Sequence, residues 1–168
     1  MNDDLVRRMI EVSEQHGEFV LSSGATSTVY FDKFLFLTRP DLLREVAKEV
    51  AALIPDGVDH LASPEGAAML LVAAVSLESG LPSAVIRKEP KPYGTKEQVE
   101  GYAPAGARVA LLEDVVTTGA QVLRAAKVLE AQGITVEIII LALDRGGADT
   151  LREAGYRVAT VASLRPTG

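Results

Sequence analysis

The stretch from Ala107 to Gln121 reads A-R-V-A-L-L-E-D-V-V-T-T-G-A-Q. Val109 to Leu112 form a short apolar run, the pattern of a strand buried on both faces, expected to end at Glu113-Asp114. Val115 and Val116 lead into Thr117, Thr118 and Gly119, and a helical pattern starts from Gln121. Val122, Leu123, Ala125, Ala126 and Leu129 give that helix an apolar stripe.

A strand, a tight loop and a helix N-terminus bring together hydroxyls, a permissive glycine and unpaired backbone N–H groups, which make a cradle for an anion. Phosphate suits it. The adjacent acids repel phosphate, but they can accept hydrogen bonds from sugar hydroxyls or hold Mg²⁺ that a phosphorylated ligand brings. Together these features suggest a ribose-5-phosphate site; the alternative is a solvated loop whose acids merely end a strand. Neither G-x-x-x-x-G-K nor G-x-G-x-x-G occurs in the chain, so the rival nucleotide motifs are missing.

The chain has 168 residues, 48% of them hydrophobic, which favours one domain with a substantial core. It contains no cysteine, so disulfides and thiol chemistry are excluded. Asp3, Asp4, Arg7 and Arg8 belong to an amphipathic pattern and not to a signal peptide, and the apolar run Ala67–Val75 is too short to span a bilayer. The expected setting is the cytoplasm, with no membrane partner. A net charge of −6 argues against non-specific nucleic-acid binding. Against that background Arg87–Lys96 holds four cations and one anion.

Leu5, Val6, Met9 and Ile10 predict a helix near 3–16 closed by Gly17. Two strands, around Phe19-Val20-Leu21 and Val29-Tyr30-Phe31, follow across a turn, and Pro40 opens a helix with Leu42, Leu43, Val46, Val50 and Leu53 on its apolar face. Strands near 58–62 and 83–87 flank a helix near 66–78; the 134–143 strand, a short helix near 149–154 and a last strand near 157–162 complete the pattern. Such alternation implies a parallel sheet flanked by helices. Glu89–Pro104, polar and rich in Pro and Gly, reads as a mobile functional loop. Polar residues gather at the strand carboxyl ends, where open α/β sheets bind ligands: Ser63-Pro64-Glu65-Gly66, Arg87-Lys88, Glu113-Asp114 and Asp144-Arg145.

L-L-E-D-V-V-T-T-G-A resembles the phosphoribosyl pyrophosphate (PRPP) signature of the type I phosphoribosyltransferases. R-K-E-P-K-P-Y-G-T-K-E-Q-V-E-G, from Arg87 to Gly101, resembles the catalytic loop of the orotate phosphoribosyltransferase family. Gly17–Lys33 is similar to that family's hood over the base, and Leu143–Gly155 to its later segment. The four blocks fall in the family's order over almost the whole chain. The resemblance implies one domain, 1–168: an N-terminal helix and hood over 1–35, then a PRPP-binding α/β core over 36–168 with a parallel sheet and a flexible catalytic loop.

It further implies transfer of ribose-5-phosphate from PRPP to orotate, with Mg²⁺ entering through PRPP near Glu113 and Asp114 and no metal held by the chain directly. Glu113 and Asp114 would bind the ribose hydroxyls, preceding Val115 and Val116. Thr117, Thr118, Gly119, Ala120 and Gln121 would hold the 5′-phosphate, with Thr117 also near the base. Arg87, Lys88, Lys91 and Tyr93 match pyrophosphate-contacting positions, some shared across a homodimer in the family. Pro64, Glu65 and Gly66 match its short pyrophosphate loop, Tyr30 and Phe31 its orotate pocket, and Arg145 its arginine for orotate. Catalytic weight falls on Arg87, Lys88, Lys91 and Asp114.

Four positions depart from the family's pattern. Ser22, at a substrate-binding position, stands where many members have lysine and Glu65 where some do, Gln121 where they have a small hydroxyl residue, and Tyr93 where some bacterial members have histidine and others tyrosine. Glu65 is therefore expected to help an anion only through its backbone N–H. A related enzyme for another base and a non-catalytic PRPP sensor are the competing readings. His16, by a helix end, and His60, in a strand, lack companions for a metal site, and Met9 and Met69 read as core. Lys33 reads equally as functional or as an exposed strand lysine.

Overall fold

The computed structural model describes residues 3–21, 24–91 and 97–164. Helix α1 (Asp3–Ser13) runs into an antiparallel hairpin, β1 (Glu14–Val20) and β2 (Thr26–Phe31). One helical turn, α2 (Phe34–Leu37), and helix α3 (Pro40–Ala52) lead to the main sheet. Its elements follow as β3 (His60–Pro64), α4 (Ala68–Ser79), β4 (Ser83–Ile86), β5 (Val99–Gly101), β6 (Arg108–Val116), α5 (Ala120–Ala131), β7 (Thr135–Asp144), α6 (Ala148–Glu153) and β8 (Val158–Ser163).

The strands lie in the order β5-β4-β3-β6-β7-β8, all pairs parallel except β4–β5. Alternate residues serve opposite faces. Ala110 and Leu112 join Leu42, Val46 and Val50 of α3 and Leu71 and Val75 of α4 in one core, which also takes Leu5 and Met9 of α1. Val109 and Leu111 join Val122, Ala125, Ala126 and Leu129 of α5 and Leu151 of α6 in the other. The apolar run of β6 is therefore sandwiched between two helical layers, as its composition requires. From β3 the chain moves outward to β4, and from β6 it moves the opposite way to β7. The order reverses between β3 and β6, so the ligand crevice of such a sheet lies at their carboxyl ends.

The structure revises several expected boundaries. Helix α1 stops at Ser13, because pairing of Glu14 with Phe31 draws the following residues into the hairpin. Gly17 and His16 therefore lie in β1, where the register shifts between His16 and Phe19, and do not close a helix. Strand β6 runs through the acids to Val116, with Glu113 opposite Leu141 and Val116 opposite Asp144. Part of the supposed loop 89–104 is the edge strand β5. Gly101 there has φ +94°, and a Cβ would meet the Ser83 carbonyl oxygen at 2.8 Å, so glycine is what lets the edge close. Met69 is 45% exposed and not core, because α4 is apolar on all sides and only one side meets the sheet.

Candidate active site

The alternation of β6 breaks at the acidic pair. Leu112 belongs to the first core, yet Val115 packs with that same core and Val116 with the second. Asp114 is fully buried and Glu113 is 4% exposed. Asp114 Oδ1 accepts the Val115 N–H at 2.6 Å and the Lys33 ammonium at 3.1 Å, while its Oδ2 has no hydrogen-bond partner. Glu113 Oε1 accepts the Asp114 N–H at 3.2 Å. Burial, and then the neighbouring Asp114 charge, push the Glu113 carboxyl up to about 8. The Glu113 carboxyl can thus donate near neutral pH, and Asp114 keeps an oxygen without a partner, groups suited to neighbouring hydroxyls.

Beyond Val116 the chain turns through exposed Thr117 and Thr118 to buried Gly119, whose φ of +79° starts α5. Gly119, at the N-cap, has no side chain to cap this helix, and the Thr118 hydroxyl accepts the Ala120 N–H at 3.4 Å. The first turn of α5, Gln121 included, thus begins at the carboxyl ends of the strands, where a helix N-terminus favours an anion. The loop is braced from behind. Arg145 N–H donates to the Val116 carbonyl at 2.7 Å, and Asp144 Oδ1 accepts the Gly146 and Ala148 N–H groups at 2.9 and 3.0 Å. Gly147 fits so closely that a Cβ would stand 2.2 Å from Val116 Cγ1 and 2.8 Å from the Gly119 nitrogen.

The segments after β3 and β4 close a third side. Pro64, Arg87, Lys88 and Gln121 line one cavity there with Arg124 and Lys127 of α5. Arg87 Nε is buried without a partner. The Glu65 N–H is not free for an anion, because it donates to the Ile86 carbonyl at 2.8 Å, a consequence of β3 pairing with β4. Lys91 is drawn away to β5, where its Nζ lies 2.5 Å from Glu100 Oε1.

The hairpin contributes a wall. Arg145 lies over the Phe31 ring, 5.0 Å from its centroid, so a guanidinium and an aromatic face meet at the end of β7. Tyr30 is not brought to them. It precedes Phe31 on the strand and packs instead on Phe19, with ring centroids 5.5 Å apart. Ser22 and Tyr93 lie outside the described residues.

Among the described residues no three His, Cys, Asp or Glu side chains cluster as a metal site, and no helix is long and apolar enough to cross a membrane. Lys33, which the sequence left open between a functional and an exposed-strand reading, is tied to Asp114; two contributors escaped the sequence, Gln98, whose amide donates to the Arg87 and Lys88 carbonyls at 2.9 and 3.1 Å, and Gly147. The G-G pair at 146–147 was a usable signal for a close approach. Nothing local marks Gln98.

No protein-family model matches the chain. An orotate phosphoribosyltransferase of Nocardioides sp. is 42% identical over 147 residues, covering 86% of this chain and 82% of that protein. One of Methanocella arvoryzae is 37% identical over 164 residues, covering 96% and 94%. The crystal structure of orotate phosphoribosyltransferase from Aeropyrum pernix superposes with a TM-score of 0.79 at 29% identity, covering 98% of this chain and 94% of that one. With identities of this size over most of both partners, on a sheet whose switch point carries the acidic pair and the start of α5, the chain belongs to the orotate phosphoribosyltransferase family.

Proposed function

We propose that this chain transfers the phosphoribosyl group of PRPP to orotate, giving orotidine 5′-monophosphate and pyrophosphate in pyrimidine synthesis. The observation that carries the reading is the convergence, beside one strand-order reversal, of a buried acidic pair with an unpartnered oxygen and a helix start whose N-cap is glycine, with Arg145 over Phe31 at the end of the next strand. Asp114 and Glu113 take the ribose 2′ and 3′ hydroxyls, and Thr117–Gln121 take the 5′-phosphate. Phe31 and Arg145 take a flat ring bearing a carboxylate.

Orotate N1 bonds to the anomeric carbon as the bond from that carbon to the pyrophosphate oxygen breaks, and its electron pair leaves with pyrophosphate. Positive charge grows on the ribose, where the Asp114 carboxyl oxygens favour it. Negative charge grows on the leaving group, where Arg87 and Lys88 meet it, joined by Lys91 once released from Glu100. No side-chain nucleophile is required. Mg²⁺ is the proposed cofactor, carried by the oxygens of PRPP, and it neutralises the leaving group when bound. On the protein side Asp114 Oδ2, buried and without a hydrogen-bond partner, has the oxygen chemistry that a hydroxyl or a magnesium ion would use.

The active form is proposed to be a cytoplasmic homodimer sharing loop residues. Exposed Met69, Leu70 and Leu77 on α4 are an apolar surface that a second copy can cover. The test is loss of orotate ultraviolet absorbance with PRPP and Mg²⁺, with hypoxanthine, xanthine and uracil followed in parallel by pyrophosphate release. Orotate loss requiring both PRPP and Mg²⁺ supports the reading. Release with another base alone moves the substrate, and PRPP binding without any turnover makes the chain a sensor.

A further inference from the structure

Glu65 and Gln121, two of the positions that depart from the family's pattern, meet in the structure. Gln121 Nε2 donates to the Glu65 carbonyl at 3.3 Å, and Glu65 Oε1 accepts the Lys88 N–H at 2.8 Å. Gln98 holds the same peptide from its other side, through the Arg87 and Lys88 carbonyls at 2.9 and 3.1 Å. The start of α5, the segment after β3 and the segment after β4 are thereby tied in one line of hydrogen bonds. None of these bonds uses the charged heads of Arg87 or Lys88. Both residues line a cavity of about 210 Å³ between those three segments, with the Arg87 Nε still unpartnered.

We propose that Glu65 and Gln121 are positioning residues: they fix the Arg87-Lys88 backbone at a set distance from the phosphate-binding helix, so that the cations stand ready for a diphosphate before it arrives. This rests on the proposed function. Glu65 carries a negative charge and its N–H is spent on Ile86, so neither group recommends it as an anion ligand. Its value is the acceptor oxygen. Lysine at this position adds a cation but cannot accept the Lys88 N–H, and the Arg87-Lys88 peptide is then held from the Gln98 side only. Preorganisation of this kind lowers the ordering cost of binding a ligand that spans two loops.

The experiment compares Glu65→Ala, Glu65→Gln, Glu65→Lys and Gln121→Ala with the unaltered chain. Glu65→Ala and Glu65→Lys are expected to raise the PRPP KM and the pyrophosphate inhibition constant about fivefold to tenfold, the scale of one lost hydrogen bond. The orotate KM stays within about twofold in both. Glu65→Gln keeps the acceptor and restores near-normal values, and Gln121→Ala shifts the same constants in the same direction. Amide hydrogen exchange at Lys88, faster in Glu65→Ala but not in Glu65→Gln, reads the tether without reference to turnover. Unchanged PRPP and pyrophosphate constants in Glu65→Ala, or a Glu65→Gln variant as impaired as Glu65→Ala, overturn the proposal. An unaltered chain that does not bind PRPP overturns the functional reading instead, while the exchange rates still decide the tether.

Discussion

Lys33, at the end of the N-terminal hairpin, places its ammonium 3.1 Å from Oδ1 of Asp114, 81 residues later in the chain. A lysine 38% exposed thereby neutralises a carboxylate with no exposure at all. The hood is tied to the very group proposed to receive the ribose, so substrate entry and hood position are linked through one ion pair. Removing Lys33 leaves a buried charge with only the Val115 N–H to hold it. Lys33→Met is expected to lower stability by about 1–3 kcal/mol, and Asp114→Asn in the same chain to recover most of that loss. Chemical denaturation of the two single variants and the double variant measures the coupling, and additive losses would falsify the pairing.

Glu113 makes the free protein's stability depend on pH in a direction unlike that of an ordinary paired carboxylate. Its folded value stands near 8 against an ordinary 4.5, so between these limits the folded chain holds a proton that the unfolded chain has lost. More protons on the folded side mean that stability falls as pH rises across that window, then levels off above it. At about 1.4 kcal/mol per unit the total is on the order of a few kcal/mol. Denaturant midpoints from pH 4.5 to 9 are expected to decline. Glu113→Gln, which keeps an oxygen for the Asp114 N–H, is expected to flatten the decline. An unchanged slope in that variant places the titrating group elsewhere.

The parts of this site that were legible in sequence are those set by local chemistry. The apolar run of β6, the acids, the hydroxyls and Gly119 announce a strand, a loop and a helix start, because each needs only its neighbours in the chain. What escaped depends on partners far away. Val99–Gly101 becomes a strand only by pairing with Ser83–Ile86, and three residues carry too little pattern to show it. Gln98 acquires its role, and Lys33 the choice between its two readings, from groups that folding brings to them. Tyr30 and Phe31 look alike in sequence, yet adjacent strand positions part them, and only Phe31 reaches Arg145. In α4 the apolar residues surround the helix, so the pattern could not say that Met69 and Leu77 would be left outside.

Gly147 separates steric fit from backbone freedom. Its φ of −91° suits any residue, but a Cβ would overlap Val116 and crowd the Gly119 nitrogen. Gly146, with φ +113°, has its nearest contact at 3.9 Å, so alanine there meets strain but no collision. Gly147→Ala is expected to cost about 1–3 kcal/mol or more and to weaken PRPP binding by moving the phosphate loop. Gly146→Ala is expected to leave PRPP affinity much nearer to normal. Calorimetric titration with PRPP checks both; equal losses would show that the loop does not lean on Gly147.

Leu77, 90% exposed on α4, tests the proposed dimer. An aspartate there costs the monomer little, since the side chain already faces water, but it places a charge in any apolar contact with a second copy. Light scattering after size exclusion should give a dimer mass for the unaltered chain and a monomer mass for Leu77→Asp. A dimer that survives the change must use another face.

Arg145 offers the sharpest test of the base. Its guanidinium is planar, lies over Phe31 and can present two parallel donors to a carboxylate, whereas lysine brings one point charge and no stacking surface. Arg145→Lys preserves the charge, so a purely electrostatic role predicts little change. The geometry over Phe31 predicts instead a rise in the orotate KM of about tenfold or more, with the PRPP KM nearly constant. Phe31→Leu should move the orotate KM in the same direction, since it removes the face that orients the guanidinium. Uracil, which has no carboxylate, should inhibit the Arg145→Lys variant and the unaltered chain about equally if it enters the same pocket. A variant that loses PRPP affinity while keeping orotate affinity would place this arginine among the phosphate ligands and leave the carboxylate to another group.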